Sequence, residues 1–345
     1  MNKLYVFMGY PGSGKSTIAR EFAIERNALY LASDEVREKL FGFRDQTRNA
    51  EVFDYIKKTA IEHSSEGDCV IDATNLNRKD RVRTLNDYKK YYELHLFCIL
   101  RPIDEIFEVN NGRKENSIEQ YIDESELKRI IGKFQLPTSD EGWSTISFKL
   151  VTNKKDIKDA KFNYAAMKDI PHDNPHHSET IKEHIDFVTK NCTKSGMFKW
   201  LGVLGAYHDV GKFYVIKYNE EKGYSQCLGH AAVSAYIYLV DTLIDYLLYY
   251  GEQQKTDVNE DIQLHGRYIA LFNFSNIVDI LNLYYLIFYH DQPFTCEDRE
   301  HLIQSLSKPN KPLAYWQKQG KIHIEMFVDI LLGFNKIDRM REDDE

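Results

Sequence analysis

The stretch Gly9-Tyr10-Pro11-Gly12-Ser13-Gly14-Lys15-Ser16 has the spacing G-x-x-x-x-G-K-S of a phosphate-binding loop. Its chemistry is that of an anion cradle. Glycines let the backbone curl so that successive N–H groups face one anion. The N-terminus of a following helix adds partial positive charge. Gly12, Ser13, Gly14, Lys15, Ser16 and Thr17 are the candidate nucleotide contacts. Lys15 is expected to reach the β- and γ-phosphates of ATP, and the Ser16 hydroxyl to sit on Mg²⁺.

A second constellation is built from histidines and aspartates. His184 shares a helical face with Ile181, Ile185 and Val188, and His208 continues the apolar face of Leu201, Leu204 and Tyr207. His208-Asp209-Val210-Gly211-Lys212 reads H-D-x-G-K. His230 opens an apolar helix after Gly229, and His290-Asp291 closes another. Asp338 sits in a final helix striped by Phe327, Ile330, Leu331, Phe334 and Ile337, with Asp291 or Asp279 as competing carboxylates. A single inward histidine is ordinarily a hydrogen-bonded core residue. Several together each need a partner when buried, and a shared divalent cation supplies one. Imidazole and carboxylate donors suit Mn²⁺, Fe²⁺, Co²⁺, Ni²⁺ or Zn²⁺ without choosing among them.

The elements that must position these residues change character along the chain. Leu4 to Met8 is an apolar run, and Ile18, Phe22 and Ala23 follow at helical spacing, so strand, loop and helix come in the order the cradle needs. Further strands are expected at 28–32, 69–71, 94–100 and 145–151, with helices around 35–41, 48–64 and 79–91. Alternation of this kind predicts a doubly wound parallel sheet, whose ligands bind beyond the carboxyl ends of the strands. Asp34 lies there, either as the carboxylate that orients an attacking hydroxyl or as a helix N-cap. The charged helical run 104–133 carries Arg113 and Arg129, candidates for a lid arginine over the donor phosphates.

At 345 residues, two domains are expected. An α/β domain over 1–150, a Lys/Asp-rich linker over 151–164 and an all-α domain over 165–345 fit the patterns. A net charge of −8 excludes a protein coated in basic surface, so any nucleic-acid site is a local groove. The most basic short stretch is 77–90. The five cysteines are scattered without a C-x-x-C pair, which favours a reducing, cytoplasmic setting. The first strand begins at once, leaving no room for a leader peptide. The apolar run 235–250 carries Asp241 and Asp245 and reads as a core helix, so no membrane is expected.

The first half resembles the phage-type polynucleotide 5′-kinases. The residues that carry the likeness are Gly9 through Thr17, Ala19-Arg20-Glu21-Phe22, Asp34 with Arg37 three residues on, and Thr74-Asn75-Leu76-Asn77. The resemblance implies that Asp34 is the general base, that Arg37 binds the acceptor phosphate and that Arg113 contacts the donor phosphates. The sequence departs from the family pattern at Ala73, where the phage enzyme has an Asp; Asp72 stands one place earlier. The second half resembles the HD superfamily of metal phosphohydrolases, whose H…HD…H…H…D pattern falls on His184, His208, Asp209, His230, His290 and Asp338. The lead-in Asn174-Pro175-His176-His177-Ser178 is similar as well. That resemblance implies one metal on His184, His208, Asp209 and Asp338, a second on Asp209, His230 and His290, and Lys212 steadying the scissile phosphate. Together the two imply an end-healing enzyme. It would phosphorylate 5′-hydroxyl ends of RNA or DNA from ATP with Mg²⁺ and remove 2′- or 3′-phosphates, cyclic ones included, for a ligase partner. The competing reading is a nucleotide or small-molecule kinase joined to a nucleotide phosphohydrolase.

Overall fold

Leu4, Val6, Phe7 and Met8 are fully buried, as in a parallel strand covered on both faces. They belong to β1 (Lys3–Met8), followed by α1 (Lys15–Glu25), β2 (Leu29–Ala32), α2 (Ser33–Phe41), α3 (Asn49–His63), β3 (Cys69–Asp72), α4 (Arg78–Tyr88), β4 (Glu93–Leu100) and α5 (Ile103–Glu115). Next come α6 (Glu124–Ile131) and β5 (Thr145–Leu150). The computed structural model describes residues 1–42, 48–116, 118, 120–175, 178–195, 201–253, 268–269, 278–295 and 298–340. It divides into two units: Met1–Tyr121, Gln135–Lys155 and Gly251–Phe272 form the first, and Ile122–Phe134, Asp156–Tyr250 and Asn273–Glu345 the second.

The first unit is the expected α/β domain. Five parallel strands run in the order β2-β3-β1-β4-β5, and a short strand, Tyr268–Ile269, adds antiparallel to β5. On one face of the sheet, Tyr5, Phe7, Val70 and Ile99 pack against Ile18 and Phe22 of α1. Phe7 stacks on Phe97 with ring centroids 5.0 Å apart. This core fixes where α1 begins, and so fixes the loop between β1 and α1.

Buried polar bonds hold the polar tail after β3. Arg81 is fully buried. It donates through Nε to Glu141 Oε2 at 2.8 Å and through a terminal nitrogen to Glu141 Oε1 at 2.7 Å. It also donates to the carbonyls of Asn75 and Leu76, and Trp143 Nε1 donates to Glu141 Oε2 at 3.0 Å. Removing one partner of such a pair leaves an uncompensated buried charge. Glu141→Ala is expected to destabilise the protein by about 3–5 kcal/mol, read as a lowered midpoint in urea unfolding.

The second unit contains α6, α7 (Ile181–Lys194), α8 (Leu201–Tyr207), α9 (Lys212–Val215), a hairpin of β6 (Lys217–Asn219) and β7 (Tyr224–Gln226), then α10 (His230–Gln253) as far as Tyr250, α11 (Val278–Tyr289), α12 (Gln292–Thr295), α13 (Arg299–Leu306), α14 (Pro312–Lys318) and α15 (Ile324–Asp338). It differs from the all-α expectation by the hairpin, which turns at Gly223 with φ 72°. The charged run 104–133 is two helices in different units. α6 goes with the second because Leu127 and Ile131 are buried there and Phe134 meets the Tyr236 ring edge-on at 4.8 Å. The stretch read as a linker is also partly tied down. Asp241 of α10 accepts from Phe162 N at 2.9 Å, and Lys161 donates to Asp245 at 2.8 Å. The segment His230–Leu248 is long and apolar enough to cross a membrane, yet 67% of it is buried in the protein, the mark of a core helix.

Candidate functional site

Two sites emerge, one in each unit. In the first, Gly12 and Gly14 both have φ 85°, a left-handed conformation that favours glycine and lets the loop curl. Gly14 is the N-cap of α1, and no side chain caps the helix, so its first-turn N–H groups point into the loop. Lys15 is buried and its Nζ contacts Asp72 Oδ1. Asp72 ends β3, in register with Phe7 of β1 and Ala32 of β2. It also accepts from Tyr30 Oη at 3.0 Å and is hydrogen-bonded by Ser16. Burial works to raise its pKa, but the Lys15 charge and these donors hold the carboxyl below its ordinary value. Ser16 and Asp72 are neighbouring oxygen donors that could together hold a Mg²⁺ ion. The sequence marks Asp72 only as a residue at the carboxyl end of a strand; the pairing of that strand with β1 is what brings it to Lys15.

Arg101 was missed altogether. It is buried just after β4, donates to the Gly12 carbonyl at 2.9 Å, and is held by Glu105 at 3.1 Å and Asn153 at 2.5 Å. It ties the Gly12 carbonyl of the loop to the end of β4. Asp34 is the second residue of α2, whose N-cap is Ala32, so the capping role is not the one it takes. Its carboxylate accepts from Arg37 at 2.8 Å, and Arg37, 5% exposed, also donates to Asn49 at 2.5 Å. Since β3 lies between β2 and β1, the Asp34–Arg37 pair stands two strands from Lys15, with Asp72 between. Arg113 lies on α5 one turn beyond Val109, which packs against Gly12, and it donates to the Gln120 carbonyl at 3.3 Å. Arg129, the other lid candidate, belongs to the second unit and pairs with Glu126 at 2.6 Å.

In the second unit the six singled-out residues come together as two buried trios, His184–His208–Asp338 and Asp209–His230–His290, each with its donor atoms within 4.8 Å of one another. Asp209 joins them. Its Oδ1 is 3.1 Å from His230 and 3.4 Å from His290, and its Oδ2 is 3.3 Å from His208 and 3.4 Å from His184. Asp338 Oδ1 reaches His184 at 3.0 Å and His208 at 3.3 Å. Asp291, the competing acid, instead flanks the second trio, 3.3 Å from His230 and 3.2 Å from His290. The Asp279 side chain lies outside the described residues, as do His176 and His177.

One local device recurs. The Nδ1 atoms of His208, His230 and His290 lie 2.7, 2.8 and 2.7 Å from the carbonyls of Gly205, Cys227 and Ile287, each three residues earlier. A carbonyl only accepts, so Nδ1 carries the hydrogen and the neutral ring turns a bare Nε2 inward. Those Nε2 atoms face each other: His208 to His184 at 3.3 Å and His230 to His290 at 3.2 Å. Facing lone pairs repel unless a proton or a cation lies among them. For three of the rings, burial lowers the pKa but the surrounding carboxylates outweigh it, lifting His184 to about 11, His230 to about 10 and His208 to about 8. Asp209 is driven well below the carboxylate range, and its buried Oδ1 faces the Nε2 atoms of His230 and His290. A cation with unsatisfied coordination fits every one of these features.

Two neighbours complete the site. Lys212 Nζ is 2.6 Å from Asp209 Oδ2 and donates to His172 Nε2 at 3.2 Å. A methyl group on Gly211 would come within 2.2 Å of the His230 carbonyl, so the glycine of H-D-x-G-K is what lets this turn meet the start of α10. His172 was not singled out as a site residue. Its nearness to Lys212 depends on a chain reversal closed by the bridge between Pro171 and Thr180.

The loop, the uncapped helix and the parallel sheet define the first unit as a P-loop domain. Residues 4–137 match the family model described as an AAA domain. No curated protein gives a significant match. Among solved structures the chain is similar to "Structure of Pnkp1/Rnl/Hen1 complex", at 24% identity and TM-score 0.29 over 31% of this chain and 38% of the other. It is likewise similar to "Structure of the Pnkp1/Rnl/Hen1 RNA repair complex", at 25% identity and TM-score 0.31 over 39% and 46%. A third is a gluconokinase from Sinorhizobium meliloti 1021, at 14% identity and TM-score 0.31 over 46% and 86%. The chain thus spans less than half the length of the first two.

Proposed function

We propose that the chain is a bifunctional nucleic-acid end-healing enzyme: a 5′-hydroxyl kinase using ATP and Mg²⁺, and an HD-type metal phosphohydrolase that removes 2′- or 3′-phosphates. The observation that carries the reading is the meeting of two histidine–aspartate trios on Asp209 in one unit, alongside a complete phosphate loop with Asp34 and Arg37 in the other. In the kinase reaction Lys15 and the loop N–H groups hold the donor phosphates. Arg37 holds the acceptor side, and Asp34 orients the attacking hydroxyl and takes its proton. Catalysis there is positioning and electrostatics. In the other unit, His184, His208, Asp209 and Asp338 would hold one divalent ion and Asp209, His230 and His290 a second. Such ions activate water and stabilise the leaving oxygen. Lys212, fixed by Asp209 and His172, presents its ammonium to the phosphate.

The test is an assay on a broken RNA with 5′-hydroxyl and 2′,3′-cyclic-phosphate ends, given ATP and a panel of Mn²⁺, Co²⁺, Ni²⁺, Fe²⁺ and Zn²⁺. A DNA strand, a nucleoside and a sugar are run beside it. Labelled 5′ ends and freed 3′ ends are expected. Phosphorylation of the nucleoside or sugar alone would replace this reading with that of a small-molecule kinase.

A further inference from the structure

Members of both trios line a cavity of about 990 Å³ that also has apolar side chains in its wall. His184, Asp209, His230, His290 and Asp338 share this cavity with Leu228, Phe294, Arg339 and Met340. The last group is unusual for its exposure. Leu228 is 76% exposed, Phe294 48% and Met340 38%. Large apolar side chains scattered singly over a surface need no explanation, but three around one cavity do. Arg339 stands over the Phe294 ring, 4.7 Å from its centroid, and about half of the residue remains open. Arg339 follows Asp338 directly at the end of α15, and Phe294 on α12 comes four residues after His290, so both lie close in the chain to a candidate ligand.

Phosphate chemistry alone needs none of this. A phosphate and a metal pair occupy only part of such a volume, which matches a nucleotide-sized ligand. An exposed ring with a guanidinium beside it is the pairing that takes a nucleobase, which stacks on aromatic faces and on arginine planes without regard to base identity. We propose that Phe294, flanked by Leu228, Met340 and Arg339, is a nucleobase-stacking subsite. It takes the base of the nucleotide whose 2′- or 3′-phosphate reaches the two trios. The inference rests on the phosphohydrolase reading above and adds its specificity: the substrate is recognised as a nucleotide, not as a phosphate ester of any kind.

The experiment compares an RNA strand ending in a 3′-phosphate with the same strand ending in an abasic ribose 3′-phosphate. Free adenosine 3′-monophosphate serves as a third substrate that separates strand ends from free nucleotides. The wild-type protein is expected to prefer the base-bearing end by about tenfold in kcat/KM. Phe294→Ala brings that ratio to about one, and Phe294→Trp keeps it. A wild-type ratio near one, or a Phe294→Ala loss that falls equally on both ends, overturns the subsite while leaving the phosphohydrolase standing. If no substrate is hydrolysed with any metal, the phosphohydrolase reading falls, and binding decides the subsite alone. Saturation transfer from the protein to the base protons of adenosine 3′-monophosphate, lost in Phe294→Ala, upholds it, and absence of transfer in the wild type overturns it.

Discussion

Lys15→Ala is expected to abolish 5′-phosphorylation, lowering kcat by at least about 10²–10³-fold, while metal-dependent release of 3′-phosphate stays near the wild-type rate. The first half follows from where the ammonium stands. It is buried at the start of α1, against the carboxylate of Asp72, in a loop whose N–H groups and helix terminus converge on one anion position. A preorganised cation there acts on charge in a dry site, and loss of one such group typically costs this much. The second half follows from the division into two units, which puts Lys15 and the histidine trios in different cores. The variant also leaves Asp72 buried without its cation, with only Tyr30 and Ser16 as donors. Its carboxyl pKa is expected to rise and thermal stability to drop modestly, so Lys15→Met, which restores the buried volume, is measured beside it. Loss of both activities in a variant that still unfolds cooperatively would show that the two sites are not independent.

How much of this could be read from the chain depends on how far apart the interacting residues lie. The phosphate loop was legible because its function is local: Gly12, Gly14 and Lys15 act through backbone turns within a few residues. The parallel sheet was legible for a related reason, since each strand buried on both faces is an uninterrupted apolar run. Arg101 was not, because its partner Gly12 lies 89 positions away, and an arginine after a strand looks the same whether or not it clamps a loop. Asp72 was half legible. Its position at a strand end could be seen, but only the pairing of β3 beside β1 shows that it meets Lys15 and Ser16. In the second unit, the inward faces of His184 and His208 could be read from helical spacing. That Asp338 joins the first trio while Asp291 only flanks the second could not, because each acid lies at or just past the end of an apolar helix. The membership of α6 was hidden too. Leu127 and Ile131 mark an amphipathic helix, and nothing in an amphipathic stripe names what it packs against. The β6–β7 hairpin did leave a trace in Gly223, overlooked inside a helical run.

Asp209→Ala is expected to remove bound transition metal and to lower phosphatase activity by at least about 10³-fold, the scale of several kcal/mol that metal ions contribute to such transition states, with kinase activity unchanged. No other carboxylate among the described residues touches all four imidazoles, and its oxygens split between the two trios. Losing it removes a ligand from both metals at once. It also strands Lys212, whose buried ammonium keeps His172 as a neighbour but loses its carboxylate, so Asp209→Asn is needed as a second variant that keeps the shape. Metal content measured on purified protein gives the first readout, and unchanged content would remove Asp209 from the ligand set. Stability against pH gives the second. In metal-free protein the carboxylates hold His184 and His230 at raised pKa values of about 11 and 10, and His208 at about 8. A raised pKa means stabilisation that is complete below the free imidazole value of about 6.5 and is lost as pH climbs through the folded values. Chelated wild-type protein should therefore lose melting temperature between about pH 7 and 11, as the protons that separate the facing Nε2 atoms leave. Metal takes the place of those protons and binds more tightly as they depart, so the loaded protein should hold its melting temperature over the same range. Asp209→Ala should shrink the difference between chelated and loaded samples, because a carboxylate that raises His184, His208 and His230 is gone while Asp338 and Asp291 remain.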